Sequence, residues 1–246
     1  MKESTNSITG IVLKNEPFKE RDSKVVVYSL EAGKLILSAR GSLKSNSKLG
    51  GHLQEFSLSK LMIIQGKVIE YIGGAKNIDT YLDLREDLNK LQVAGQGIYV
   101  FNKLVNTKAE DASLFYLLKD FLQLINDNPI EKTLILEKYY LSFLWQLLKI
   151  LGYEPELYNC YHCKNKVELG DIYFNLTKAE VACNHKDLVN AGVKVSANII
   201  KYLRFFNDNS LKKSSLLQIN VKDLKVLKNL SNQFILYQFE EQLKKY

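Results

Sequence analysis

At 246 residues, the chain is long enough for one large domain or two to three small ones, and its formal net charge is +7. Its 46% hydrophobic and 25% charged residues are ordinary for a soluble globular protein, and no apolar run reaches the roughly 18 residues of a membrane span. The N-terminus lacks the apolar stretch of a signal peptide, and three cysteines that include a C-x2-C pair fit a reducing cytoplasm better than a disulfide framework.

The charge is unevenly placed. Residues 1–80 carry 12 Lys/Arg against 8 Asp/Glu, and residues 196–246 carry 9 against 4. Residues 81–195 hold a slight acidic excess. Two basic ends around a neutral middle raise the prior for a phosphate-bearing partner, because neutralisation works through local cation density.

In chain order, the first 75 residues read as β. Ser7–Lys14, Lys24–Leu30, Leu35–Arg40, Phe56–Gln65 and Val68–Ile72 are short branched or alternating runs, punctuated by Ala32-Gly33 and Gly66-Lys67. Gly73-Gly74 closes the set. Five short strands on tight turns suggest a small barrel or sandwich. The period turns helical at residue 82, where Leu84, Leu88, Leu91, Gly95, Ile98, Phe101 and Val105 fall at three- and four-residue steps. Gly95 and Gly97 either weaken this helix or admit a close neighbour. Ala112–Ile125 repeats the pattern until Asn126-Asp127-Asn128-Pro129 breaks it. Ile130–Leu151 is a third, strongly apolar helix that Gly152 ends. Tyr153–Val193 carries all the cysteines, with Ile172-Tyr173-Phe174 as a strand, and helices Ala197–Asn207 and Lys222–Lys245 follow. The expected division is 1–80, a barrel; 81–152 with 194–246, a helical domain; and 153–193, an insert.

Cys160-x-x-Cys163 has the pitch of a zinc knuckle, and Cys183-Asn184-His185 supplies a second, irregular half. Two readings stand. Either Cys160, Cys163, Cys183 and His185 hold a structural zinc ion, with His162 as a substitute ligand, or the site has lost its metal and folds by packing. Redox chemistry is disfavoured, because the pair lacks a thioredoxin-like βαβ context.

The stretch from Arg40 to Gly51 places Arg40, Lys44 and Lys48 along a Gly/Ser-rich, flexible connection that can follow a phosphate backbone; Lys14, Lys24 and Lys34 extend the patch. An ordinary solvated loop is the alternative. Tyr28, Phe56 and Tyr71 are barrel aromatics that could stack bases, with core packing the better reading for most of them, and Trp145 is core. Lys222, Lys225 and Lys228 step along the last helix, as either a second phosphate-facing stripe or, more simply, a solvated face. No Walker loop, dinucleotide fingerprint or paired-carboxylate pattern is present, so the chain does not read as an enzyme. A metal-dependent nuclease is disfavoured too, since a closed structural zinc site leaves no position for water.

Several of these segments carry a resemblance. Thr9-Gly10-Ile11-Val12-Leu13-Lys14, Gly33-Lys34, Ala39-Arg40-Gly41 and Leu49-Gly50-Gly51-His52-Leu53-Gln54-Glu55-Phe56-Ser57 resemble the N-terminal domain of the RecO family of bacterial recombination mediators. Leu114–Leu118, Leu151-Gly152-Tyr153-Glu154-Pro155-Glu156-Leu157 before Cys160, and Tyr173-Phe174 resemble the rest of it, so that nearly the whole chain is covered in order. The resemblance implies an α+β multidomain fold, with an N-terminal OB-fold barrel and an α-helical domain bearing a zinc-finger-like insert. It implies a non-catalytic, cytoplasmic, nucleoid-associated role in DNA repair and recombination. The partners implied are single- and double-stranded DNA, RecR, SSB and, indirectly, RecA, with complementary strands annealed. DNA contacts would fall mainly on the OB-fold, and Arg40, Lys44 and Lys48 are the positions that carry over. Many members hold zinc with four cysteines; here Lys186 stands at the fourth position.

Overall fold

The computed structural model describes residues 5–66, 69–106, 110–129, 133–167, 170, 172–184 and 192–244. They form two compact units, Met1–Asn128 and Pro129–Tyr246.

In the first unit, five strands close a barrel: β1 (Thr5–Phe18), β2 (Asp22–Ser29), β3 (Gly33–Ala39), β4 (Leu58–Ile64) and β5 (Tyr71–Asp79), in the order β1-β2-β3-β5-β4. β1 pairs with β2 through Gly10–Phe18 and with β4 through Thr5–Ile11, which shuts the ring. This is the strand order of an OB-fold. Alternation fills the inside with Ile8, Val12, Val25, Val27, Leu37 and Leu61, all buried. A bulge between Val12 and Lys14 resets the alternation, so Lys14, Glu16 and Phe18 turn outward.

Two features depart from the sequence reading. The last strand does not stop at Gly73-Gly74 but continues to Asp79; the predicted start at Val68 lies outside the described residues. A Cβ on Gly73 would sit 2.4 Å from Ile64 Cδ1 and 2.8 Å from Met62 Cε, so this glycine makes room for β4 rather than ending the strand. The first helix is two, α1 (Leu82–Glu86) and α2 (Leu88–Leu104). Asp87 stands between them in an extended conformation, and its Oδ1 accepts the Lys90 N–H at 2.8 Å as the N-cap of α2. Leu88, read as core, is therefore at the start of a helix and 83% exposed.

α3 (Ala112–Asn126) packs against α2 through the gap that Gly97 leaves for Phe121, whose Cε1 would lie 2.2 Å from an added Cβ. α2 also covers one end of the barrel's outer face. There the Tyr28 and Phe101 rings meet edge-on, with centroids 4.9 Å apart, which makes Tyr28 core.

The second unit is built around α4 (Thr133–Ile150). Trp145 is fully buried as expected; its Nε1–H donates to Ser231 Oγ at 2.9 Å and its ring stacks on Phe234. Four short strands, β6 (Glu156–Cys160), β7 (Ile172–Asn175), β8 (Glu180–Cys183) and β9 (Val193–Val195), form a sheet in the order β6-β8-β7-β9. α5 (Ala197–Asp208), α6 (Leu211–Ser215) and α7 (Val221–Lys244) complete it. Among the described residues, no helix is long and apolar enough to cross a membrane.

Candidate nucleic-acid interface and metal centre

Strand register decides which cations share a face. Glu16 pairs with Lys24, Lys24 with Ser38, and Phe18 with Asp22, so Phe18, Lys24 and Ser38 all project from the outer surface of β1-β2-β3. Arg40 continues the outward alternation of β3, and Tyr71 pairs with Ser38 from β5. One rim of the barrel therefore carries Phe18, Lys24, Arg40 and Tyr71 in a row across four strands.

The connection after β3 belongs to the same rim, and it is not the loose segment that its composition suggests. Gly41 N–H donates to Asp22 Oδ1 at 2.8 Å, Leu43 N–H to Arg21 O at 3.1 Å, and the buried Ser23 and Ser42 hydroxyls pair at 2.8 Å. Gly41 supplies the left-handed turn, at φ +65°. Lys44 and Lys48 stand exposed on this tethered loop. The strand β2–β3 face and the adjoining loops are the surface that OB-folds use for oligonucleotides.

The six sequence-predicted cations thus divide. Lys24, Arg40, Lys44 and Lys48 share the rim. Lys14 is outward but ion-paired with Glu16 at 2.5 Å, a contact that holds the Glu16 carboxyl below its ordinary pKa. Lys34 lies at the covered end of the barrel, where its Nζ donates to Asn102 O and, at 2.9 Å, to Val105 O, the free carbonyls that end α2. Burial, and then Lys103, pull the Lys34 ammonium down to about 8. Lys90, Lys138 and Lys149 do the same at other helix ends, donating to Asn126 O, Ser215 O and Asn207 O. Sequence charge alone overstates the number of cations that face solvent.

The rim also holds groups that the sequence reading passed over. Lys19 and Arg21 are exposed in the β1–β2 turn, and Phe18 is 46% exposed beside them. Of the three barrel aromatics weighed for base stacking, Tyr71 is only half-buried, and the Arg40 guanidinium lies 4.3 Å from its ring centroid. The alternation of Lys14, Glu16 and Phe18 was the available signal, hidden by the bulge.

The cysteines are built by a different device. β6 leads into a tight hairpin in which Cys160 N–H donates to Asn165 O and Lys164 N–H to Cys160 O. Lys164 adopts φ +61° to close it. β8 then runs parallel to β6 and delivers Cys183. The Cys160, Cys163 and Cys183 sulfurs all lie within 4.8 Å of one another. A tetrahedral ion with Zn–S of about 2.3 Å needs sulfurs about 3.8 Å apart, so the three fit one face of such a site. Cys183 N–H donates to Cys160 Sγ at 3.4 Å, a bond that favours the thiolate. Burial, then the neighbouring sulfurs, push the Cys183 thiol up to about 11, a shift that a bound cation would reverse. His162 is exposed and stands apart from this cluster; His185, the fourth predicted ligand, lies outside the described residues.

Closed OB topology, a cation-bearing rim on its β2–β3 side and a helical unit with a three-cysteine knuckle define a class: an OB-fold protein with a metal-type helical domain. The chain belongs to the recombination protein O family, since the model of that family's N-terminal region matches residues 1–81 and the model of its C-terminal region residues 85–246. It is similar to proteins named DNA repair protein RecO. That of Dehalococcoides mccartyi is 28% identical over 86% of this chain and 81% of its own length. That of Pelotomaculum thermopropionicum is 26% identical over 96% and 90%, and that of Clostridium perfringens 28% over 83% and 80%. The family places the chain in DNA repair and recombination.

Proposed function

We propose that this chain is a non-catalytic recombination mediator that holds single-stranded DNA on the barrel rim. In this reading it anneals complementary strands and, with RecR, helps RecA load onto SSB-coated DNA. The observation that carries the reading is the common rim of Lys24, Arg40, Lys44 and Lys48, set by register and by a tethered loop. Cations on a fixed surface neutralise backbone phosphates without reading sequence, and two strands brought to one surface lose part of their repulsion. Double-stranded DNA meets the same cations. The zinc reading accompanies this one. Cys160, Cys163 and Cys183 would hold the ion, which ties the hairpin to β8, and Lewis-acid chemistry has no part in the role.

A second reading, a scaffold for SSB and RecR with secondary DNA contact, is favoured by one feature. A groove of about 250 Å³ between the start of α4 and the α6–α7 connection is lined by Leu134, Ile135, Leu216, Leu217 and Ile219. The experiment that separates the two uses the full chain: anisotropy with a labelled single strand, for the parent and for an Arg40→Gln/Lys44→Gln/Lys48→Gln variant. Weakened binding with an unchanged melting temperature supports the mediator; DNA binding unchanged by the triple substitution leaves the scaffold.

A further inference from the structure

The cations of the rim grip a phosphate backbone whether one strand is present or two. The rings beside them cannot. We infer that Phe18 and the Arg40–Tyr71 pair are base-stacking platforms, which make this rim selective for unpaired bases. The inference rests on the DNA-holding reading above and adds to it the part of the ligand that is recognised.

Three observations converge. Phe18 ends β1 on the outer face, 46% exposed, in a turn whose other members are charged, with Lys19 Nζ 5.4 Å from its ring centroid. Nearly half of this apolar ring is left in water among Lys19, Glu20 and Arg21, and an adenine or thymine laid on it would cover that surface. At the other end of the row, the Arg40 guanidinium already lies over Tyr71, at 4.3 Å, while Arg40 itself is exposed. A planar guanidinium stacked on an aromatic ring is a surface on which a further flat group can stack. Finally, the two platforms belong to one row. Phe18 on β1 and Tyr71 on β5 are three strand spacings apart, about 14 Å at roughly 4.8 Å per strand. That span suits the few nucleotides of one OB-fold site, with Lys24, Lys44 and Lys48 beside it for the phosphates.

The division of labour has a consequence for annealing. In a duplex the base faces are stacked on each other, so the rings lose their ligand while the cations keep theirs. A strand bound through its bases is therefore released from the rings as it pairs, and the product is held less tightly than the reactants.

The test uses the full-length protein, fluorescence anisotropy and three labelled probes of equal length: oligothymidine, an abasic sugar–phosphate strand and a duplex. The variants are Phe18→Ala and Tyr71→Leu, each with its melting curve. Each is expected to weaken oligothymidine binding roughly 5- to 100-fold, with the abasic and duplex affinities within about twofold of the parent and the salt slope unchanged. Phe18→Ala, at an exposed turn, decides the matter should Tyr71→Leu not fold. Variants that leave all three probes untouched, or weaken all three equally, overturn the stacking inference. If the Arg40→Gln/Lys44→Gln/Lys48→Gln protein still loses every probe, the phosphate-holding rim survives alone. A parent that binds none of the three probes removes the DNA-holding reading itself.

Discussion

Neutralising the rim cations one at a time separates phosphate contacts from structural lysines. Each single-strand phosphate contact contributes about 0.7 to the fall of log K with log salt. Six independent cations at Lys14, Lys24, Lys34, Arg40, Lys44 and Lys48 would contribute a slope of about 4.2. The structure gives two of them other partners, the Glu16 carboxylate for Lys14 and the α2 carbonyls for Lys34, which leaves about 2.8. Lys24→Gln, Arg40→Gln, Lys44→Gln and Lys48→Gln should each flatten the slope by about 0.7. Each then shrinks the loss of affinity between 50 and 200 mM salt by about 2.6-fold. Lys34→Gln should leave the slope alone and lower the melting temperature, because two helix-end carbonyls lose a charged donor. Anisotropy with a labelled single strand across the salt range, paired with thermal melts, reads both quantities. If Lys34→Gln flattens the slope as much as Lys44→Gln does, the partition of cations is wrong.

The two glycines of α2 should respond in opposite directions. Gly95→Ala meets open space and should stabilise the protein by about 1 kcal/mol, whereas Gly97→Ala drives a Cβ into Phe121 and should destabilise it by about 1–3 kcal/mol; urea unfolding measures both. Lys34 sets a pH dependence. Its folded-state pKa of about 8 lies below the ordinary 10.5, so between those values the unfolded chain holds more protons and stability rises as pH climbs from about 8 towards 10. Lys34→Met should abolish that rise, as melts across the range would reveal. Metal analysis of the purified chain should find zinc, and Cys160→Ser should lose it together with part of the stability of the second unit. Zinc retained in Cys160→Ser, or absent from both proteins, refutes the three-sulfur site.

Much of the fold was legible because burial follows period. The alternation of Val25, Val27 and Leu37 and the helical spacing from Leu114 to Ile125 locate core faces that the structure confirms. What the sequence hid is where one residue has two physical uses. Gly73 reads as a terminator and serves as clearance beside β4. Asp87 sits inside a continuous helical period and ends it by capping the next helix. Lysine is the hardest case at the candidate interface, since an ammonium aimed at a helix carbonyl and one aimed at solvent look the same in a charge count. β6, β8 and β9 were missed because strands of three to five residues, partly polar, carry too few alternations to be seen.

The double pairing of β1 governs the order in which the barrel can be made. Thr5 needs Ile64 as its partner, so β1 waits for two intervening strands and the long connection after β3 before its second edge is covered. Until then the β1–β2–β3 meander is an open sheet with an unpaired flank. Covering that flank is a long-range event in synthesis, and a chain stalled before Ile64 presents the edge by which nascent copies can join one another.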